Sequence, residues 1–251
     1  MQKKAPNTFL FHLQEIKMRL LYVLGFFLVC FLFCFFYAEG IFSWLMHPLM
    51  KALQKYHLSP EVIYTAPYDV LTTYGEIAVW GALFLSIPYG EWHVWRFLSP
   101  GLLQKEKKFC RTLLLIVPIF FTLGSLFCYF FVLPLTYDFL IHFSMSSTFP
   151  IIRFLPTVKQ GLATTIQLIF FFGLCFQLPL FMVILAHIGL GSAVLFAQKR
   201  RFVVVGIFIL AALLTPPDVL SQIMLAFPLL ALYELSILFV KMKEKKTHAR
   251  H

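Results

Sequence analysis

The chain has 251 residues, of which 60% are apolar and 13% charged, and its mean hydropathy is +0.84. A water-solvated domain of this length needs far more surface charge, so the composition excludes an ordinary soluble fold and points to a chain solvated by lipid. The formal charge of +10 is not a nucleic-acid signal, because the cationic residues gather at the ends of apolar runs, where membrane topology signals lie.

In chain order, a polar-basic segment over about residues 7–19 reads as amphipathic and precedes a first span, the 19 uncharged residues Leu20 to Ala38. That run is long enough to cross a membrane, so no cleaved leader is expected. Val70 to Gly90, with Glu76 near its start, predicts the second span, and the 26 uncharged residues Thr112 to Tyr137 predict a long third. Gln160 to Gln198 is uncharged for 39 residues and accommodates a fourth span ending before Gly189, then a short connector. Phe202 to Val240 is another 39 residues, interrupted only by Asp218 and Glu234. Thr215-Pro-Pro-Asp218 stands in its middle and cannot continue a helix, so this segment predicts a hairpin of two short spans. Phe202 to Leu214 amounts to 13 residues, or about 20 Å of helix against a hydrocarbon core of roughly 30 Å. Such a mismatch thins the bilayer locally or leaves a polar cavity. A basic tail over about residues 241–251 closes the chain.

The expected fold is therefore all-α and polytopic, one domain over 1–251 with six transmembrane helices, the last two short. Prolines at 88, 118, 134, 179 and 228 predict kinks in them. Six spans put both termini, the 91–111 loop and the 189–201 loop on one side, with 17 of the 21 Lys and Arg residues. By the positive-inside rule both ends face the cytoplasm or its organellar equivalent. The five cysteines lie in or beside apolar runs without CxxC spacing, which favours small packed hydrophobes over a disulfide or metal site.

No HExxH, GxSxG or phosphate-cradling glycine loop is present, and neither an enzyme, a metal nor a cofactor is expected. The scarce carboxylates carry more information. Glu15 precedes the first span, and Glu106 sits among Lys105, Lys107 and Lys108 on the same membrane side. Each either balances its basic neighbours or binds a cationic partner, and an arginine fork suits a carboxylate best. Asp218 and Glu234, beside or within apolar runs, are functional polar groups by default, since a charge at helix centre costs about 2.5–3.5 kcal/mol. Gln177, Gln222 and Thr215 are explained by hydrogen bonding between helices. Trp92, Trp95 and Phe97 form an interfacial aromatic group around Arg96.

Leu214-Thr-Pro-Pro-Asp-Val-Leu-Ser-Gln222, followed by Ala226-Phe-Pro228 and Glu234, resembles the signature of the TatC family, the receptor core of the twin-arginine protein translocase. Matches continue in order along nearly the whole chain: His12-Leu13 with Glu15 and Arg19-Leu20, Pro48-Leu49, Thr65-Ala-Pro67, Val94-Trp95-Arg-Phe97, Pro100-Gly-Leu102, Glu106 and Phe176-Gln-Leu-Pro179. The resemblance implies six spans with both ends cytoplasmic and binding of twin-arginine signal peptides at Glu15 and Glu106, with Lys17, Arg19 and Phe97 in the same site. It implies single-span partners of the TatA/TatB type held near Thr215 and Gln222, homo-oligomeric assembly in the complex, and transport of folded proteins on the proton-motive force. Three departures stand out: Gln177 where many bacterial members have Glu, Lys105-Glu-Lys-Lys108 in place of a His-Glu-Arg-Arg-like loop, and Glu76 where a basic residue is common. Gln177 and the 31 phenylalanines resemble organelle-encoded members, so the mitochondrial inner membrane is the expected location, with both termini in the matrix. A bacterial plasma membrane is the alternative location. The alternative function is a secondary transporter or channel for a small solute, with Glu234 and Asp218 in its pathway.

Overall fold

The computed structural model describes residues 8–58, 62–98, 104–145, 157–187, 191–214 and 219–248. Its regular elements are helices: α1 (Thr8–Phe36), α2 (Ala38–Lys55), α3 (Asp69–Leu98), α4 (Gln104–Phe127), a π-helical turn (Cys128–Val132), α5 (Leu133–Met145), α6 (Val158–Cys175), α7 (Leu178–His187), α8 (Ala193–Gln198), α9 (Arg200–Leu214) and α10 (Val219–His248). Among the described residues, five segments are long and apolar enough to cross a bilayer: Gln14–Phe36, Asp69–Val94, Leu115–Met145, Val158–Ala186 and Leu225–Met242.

Several boundaries differ from the expectations. The basic segment before the first span is not a separate element. With no proline between Thr8 and Phe36 to break it, α1 runs through both for 29 residues. At the other end α10 extends for 30 residues and carries the basic tail as helix to His248. The expected shortness therefore holds for α9, whose 15 residues span about 22 Å, and not for α10. Thr215–Asp218, the expected breaker, lies outside the described residues, between the end of α9 and the start of α10.

The helices pack as two units, Met1–Trp44 with Ala66–Pro118, and Leu45–Thr65 with Ile119–His251. In the first, α1 packs along α3 through buried Cys30, Cys34, Ile77, Ala78 and Ala82. Gly81 permits this approach: a Cβ there would stand 2.8 Å from the Cys34 Sγ. The rest of α1 is apolar yet uncovered, with Leu20 66%, Val29 65% and Phe36 83% exposed, as a lipid-facing surface requires. The start of α3 is fixed by Asp69, which is buried and accepts the Ala66 N–H on Oδ2 at 2.7 Å. A carboxylate there also meets the positive end of the helix dipole.

In the second unit α2 is amphipathic. Leu45, Met46, Leu49, Ala52 and Leu53 are buried, while His47, Lys51 and Lys55 are exposed. It ends in a Schellman turn: the Leu58 N–H returns to the Leu53 carbonyl and the His57 N–H to that of Gln54, with His57 left-handed at φ 55°. The third span bends at its π-turn, where the Leu133 N–H reaches the Cys128 carbonyl just before Pro134. Proline supplies no N–H and crowds the carbonyl four residues back, so the wider turn relieves it. The fourth span divides at Phe176–Gln177, two residues before Pro179, where the Gln177 N–H tightens onto the Leu174 carbonyl. Spans three and four cross closely at Gly124, whose Cβ would lie 2.6 Å from the Phe172 carbonyl oxygen. Deeper along the same pair, the Tyr137 hydroxyl sits 2.7 Å from Thr165 Oγ1 and donates to the Gly161 carbonyl at 3.0 Å, all buried.

Two stability effects are expected. Gly124→Val drives a side chain into backbone that cannot yield, and overpacking of this kind costs about 1–3 kcal/mol. Tyr137→Phe removes a buried interhelical hydrogen bond, worth about 0.5–1.5 kcal/mol in membranes. Thermal unfolding of the purified chain in detergent should rank wild type above Tyr137→Phe and that variant above Gly124→Val.

Candidate functional site

In the first unit, Glu15 and Arg19 lie one helical turn apart on α1 and form an ion pair. The Arg19 Nε donates to Glu15 Oε1 at 3.1 Å and Nη2 reaches the same oxygen. The guanidinium also reaches α3, where its Nη1 donates to the His93 carbonyl at 3.3 Å. That carbonyl belongs to the last turns of α3, the negative end of its dipole, which favours a cation. Both charged side chains are largely covered, 18% exposed for Arg19 and 26% for Glu15.

A ring wall flanks this pair. The His93 imidazole stands 4.6 Å from the Tyr89 ring and 6.0 Å from Tyr22, and Phe26 stacks on Tyr89 at 4.4 Å. Sequence reasoning gave His93, Tyr89 and Tyr22 no role. The signal that finds them is the matched i, i+4 spacing of 22 and 26 on α1 and 89 and 93 on α3, which sets four rings into one seam. Lys17 is exposed and, two residues from Glu15, lies on the opposite side of α1, so the structure does not bring it to the pair.

Phe97 falls in the last turn of α3 and Glu106 in the first turn of α4, both in the same unit as α1. Their side chains lie outside the described ones. A carboxylate in the first turn of a helix sits well with the dipole.

The remaining polar candidates belong to the second unit. Glu234 on α10 is bound bidentately by Arg200 at the start of α9, with Nε to Oε1 and Nη2 to Oε2 both 2.8 Å. Its side chain is 51% exposed. The pair fastens α9 to α10, and the Tyr233 hydroxyl donates to the Phe196 carbonyl at 2.8 Å, tying α10 to α8 as well. Gln222 also works within the chain, its Nε2 donating to the Phe208 carbonyl of α9 at 2.8 Å. Gln177 occupies the break between α6 and α7, partly buried, and its carbonyl accepts the Phe181 N–H at 2.9 Å. Thr215 and Asp218 lie outside the described residues. One pair went unforeseen: Lys55 Nζ meets Asp138 Oδ2 at 2.5 Å, and this hydrogen bond holds the lysine pKa above its ordinary range. Among the described residues no cluster of His, Cys, Asp and Glu has the geometry of a metal site.

Comparison with known proteins agrees with this architecture. Residues 11–228 match the family model described as Sec-independent protein translocase protein (TatC). The chain is 34% identical over 245 residues to the TatC protein of Magnetococcus marinus, covering 98% of this chain and 87% of that protein. It is 36% identical over 231 residues to that of Rickettsia prowazekii, covering 90% of each. An uncharacterized tatC-like protein of Reclinomonas americana is 34% identical over 238 residues, covering 93% of this chain and 87% of that one. A crystal structure of the twin-arginine translocase receptor TatC superposes with a TM-score of 0.76 at 30% identity, covering 92% of this chain and 98% of that one. The ordered motifs, the helical architecture and these matches, which extend over nearly the whole length, have one explanation: the chain belongs to the TatC family.

Proposed function

We propose that this chain is the receptor subunit of a Sec-independent, twin-arginine translocase, a multi-pass membrane protein that reads arginines in the signal peptides of folded cargo. One observation carries the reading. Glu15 already holds a guanidinium, that of Arg19, on a largely covered face whose neighbouring α3 carbonyl also accepts it. A face that satisfies one guanidinium is chemically suited to another. Carboxylate–guanidinium bonds are charge-assisted and directional, which separates arginine from lysine. Glu106 supplies the second carboxylate, with Arg19 and Phe97 assigned to the same site and Lys17 left out of it because it faces the other side of α1, so that consecutive arginines engage one carboxylate each.

The proposed topology is six spans with both termini on the basic side, because 17 of 21 Lys and Arg residues fall there. The short α9 is the fifth span. Single-span TatA/TatB-type partners pack against α9 and α10 near Thr215 and Gln222, and Asp218 lies at the turn between those helices. Transport then draws on the proton-motive force within a homo-oligomeric assembly. The mitochondrial inner membrane, termini in the matrix, is the proposed location, supported by the phenylalanine-rich composition and by the tatC-like relative in Reclinomonas americana.

The solute-transporter alternative rested on Glu234 as an isolated intramembrane carboxylate. Its bidentate bond to Arg200 gives it a structural partner instead, and removes the main reason for that reading.

Replacing both carboxylates, Glu15→Ala with Glu106→Ala, is expected to weaken binding of an Arg-Arg signal peptide by about 10- to 100-fold, the loss of charge-assisted hydrogen bonds of roughly 1.5–3 kcal/mol. Photocrosslinking in membranes, with a Lys-Lys peptide as reference, measures it. Undiminished crosslinking in the double variant would overturn the proposal. Purified chain in liposomes should show no solute flux on its own, and flux lost in Glu234→Gln would restore the transporter.

A further inference from the structure

The second unit contains a groove of about 530 Å³ between α2 and the bent third span. One wall is a cationic ridge: His47, Lys51 and Lys55 recur every fourth residue and so line one side of α2. The opposite wall is formed around Phe130, Pro134 and Asp138. The π-turn turns Phe130 outward, leaving it 62% exposed beside the ring of Pro134.

The charges in this lining are unequal. Asp138 is committed to Lys55, and the Tyr56 hydroxyl donates to its main-chain carbonyl at 3.4 Å, so one end of the groove is neutral and fixed. Lys51 is exposed one turn earlier, and Asp138, the one carboxylate among the described lining residues, is bonded to Lys55 instead. Among the described residues, the groove thus carries one more cation than anion at its rim, with an exposed ring and a proline beneath it. It belongs to the second half of an apolar segment, Leu115–Met145, that is long enough to cross a bilayer. A cation above an apolar slot, at the boundary end of a span, is the complement of an anionic amphiphile. A free anion would use the cation and leave the slot unexplained.

We propose that this groove holds an anionic glycerophospholipid, its phosphate on Lys51 and an acyl chain along Phe130 and Pro134. The Lys55–Asp138 bond fixes the wall against which the headgroup rests. In the six-span topology the lipid belongs to the leaflet opposite the basic termini, but the site depends neither on that topology nor on signal-peptide binding.

The test uses the full chain purified in a neutral detergent, with phosphatidylglycerol or phosphatidylcholine added and retained lipid counted by native mass spectrometry. Phosphatidylglycerol should be retained about fivefold better, the ratio expected for one cationic side chain near a lipid surface. Lys51→Gln and Lys51→Glu should abolish that preference, whereas Lys241→Glu, on α10, should preserve it. Phe130→Ser should weaken retention of both lipids. Circular dichroism confirms folding, and Lys51→Gln carries the test if the charge reversal does not fold. Equal retention of the two lipids, or a preference unchanged in Lys51→Gln, would overturn the proposal. Equal loss in Lys241→Glu would reduce the effect to general surface charge. Full displacement by inorganic phosphate would assign the groove to a free anion, and either result rejects the lipid.

Discussion

Hydrocarbon offers no hydrogen bonds, and the structure follows from that one constraint. Each peptide group in the apolar spans needs a partner from within the chain, which the helix supplies and open strands or loops do not. The irregularities that remain coincide with prolines and are satisfied locally. Before Pro134 the ladder widens into a π-turn closed by the Leu133 N–H on Cys128, and the Thr136 hydroxyl donates to the Val132 carbonyl at 2.9 Å. Before Pro179 it tightens into a turn at Gln177. The bends are therefore places where the chain changes direction with its backbone groups still bonded. The π-turn also carries Phe130, which is exposed and lines the groove beside α2.

The same constraint governs charge. A lone carboxylate near lipid is costly, and three of the described carboxylates are tied to cationic partners: Glu15 to Arg19, Asp138 to Lys55, Glu234 to Arg200. Only the first couples a pairing within one helix to the carbonyl of another, through His93. That arrangement bears on receptor function. In the proposed receptor, a carboxylate already bonded to arginine is held in the geometry an incoming arginine needs, and binding there would be an exchange of partners rather than the burial of a bare charge. Exchange conserves most of the bond energy, so net affinity stays modest while arginine is still distinguished from lysine.

Much of the architecture was legible in single residues. Unbroken apolar runs located the spans, and the Lys and Arg distribution supported the six-span proposal. Thr215-Pro-Pro-Asp218 marked the interval between α9 and α10. Of the five prolines two, Pro134 and Pro179, stand beside a π-turn or a helix break, while Pro88, Pro118 and Pro228 lie within continuous helices. Element ends were less legible. Nothing local stopped α1 before the first span, and nothing stopped α10 at its basic tail, because a helix already nucleated in lipid propagates into water one bond per residue when no breaker intervenes. The partner of Glu234 was not legible either, since a one-dimensional reading cannot see Arg200, 34 residues away in sequence and 2.8 Å away in space.

The sequence by itself determined the lipid-suited composition, the helical class, the five segments long and apolar enough to cross a bilayer, and the family. Each of these depends on composition, periodicity or an ordered motif, all local along the chain. Only the tertiary structure decided which charges are satisfied. It showed Glu15 held with Arg19 against α3, Lys17 turned away, Gln222 bonding within its own chain, and the groove's Asp138 taken by Lys55 rather than Lys51. The physical reason is that pairing depends on distances of about 3 Å between side chains, and residues far apart in sequence reach such distances only when helices cross.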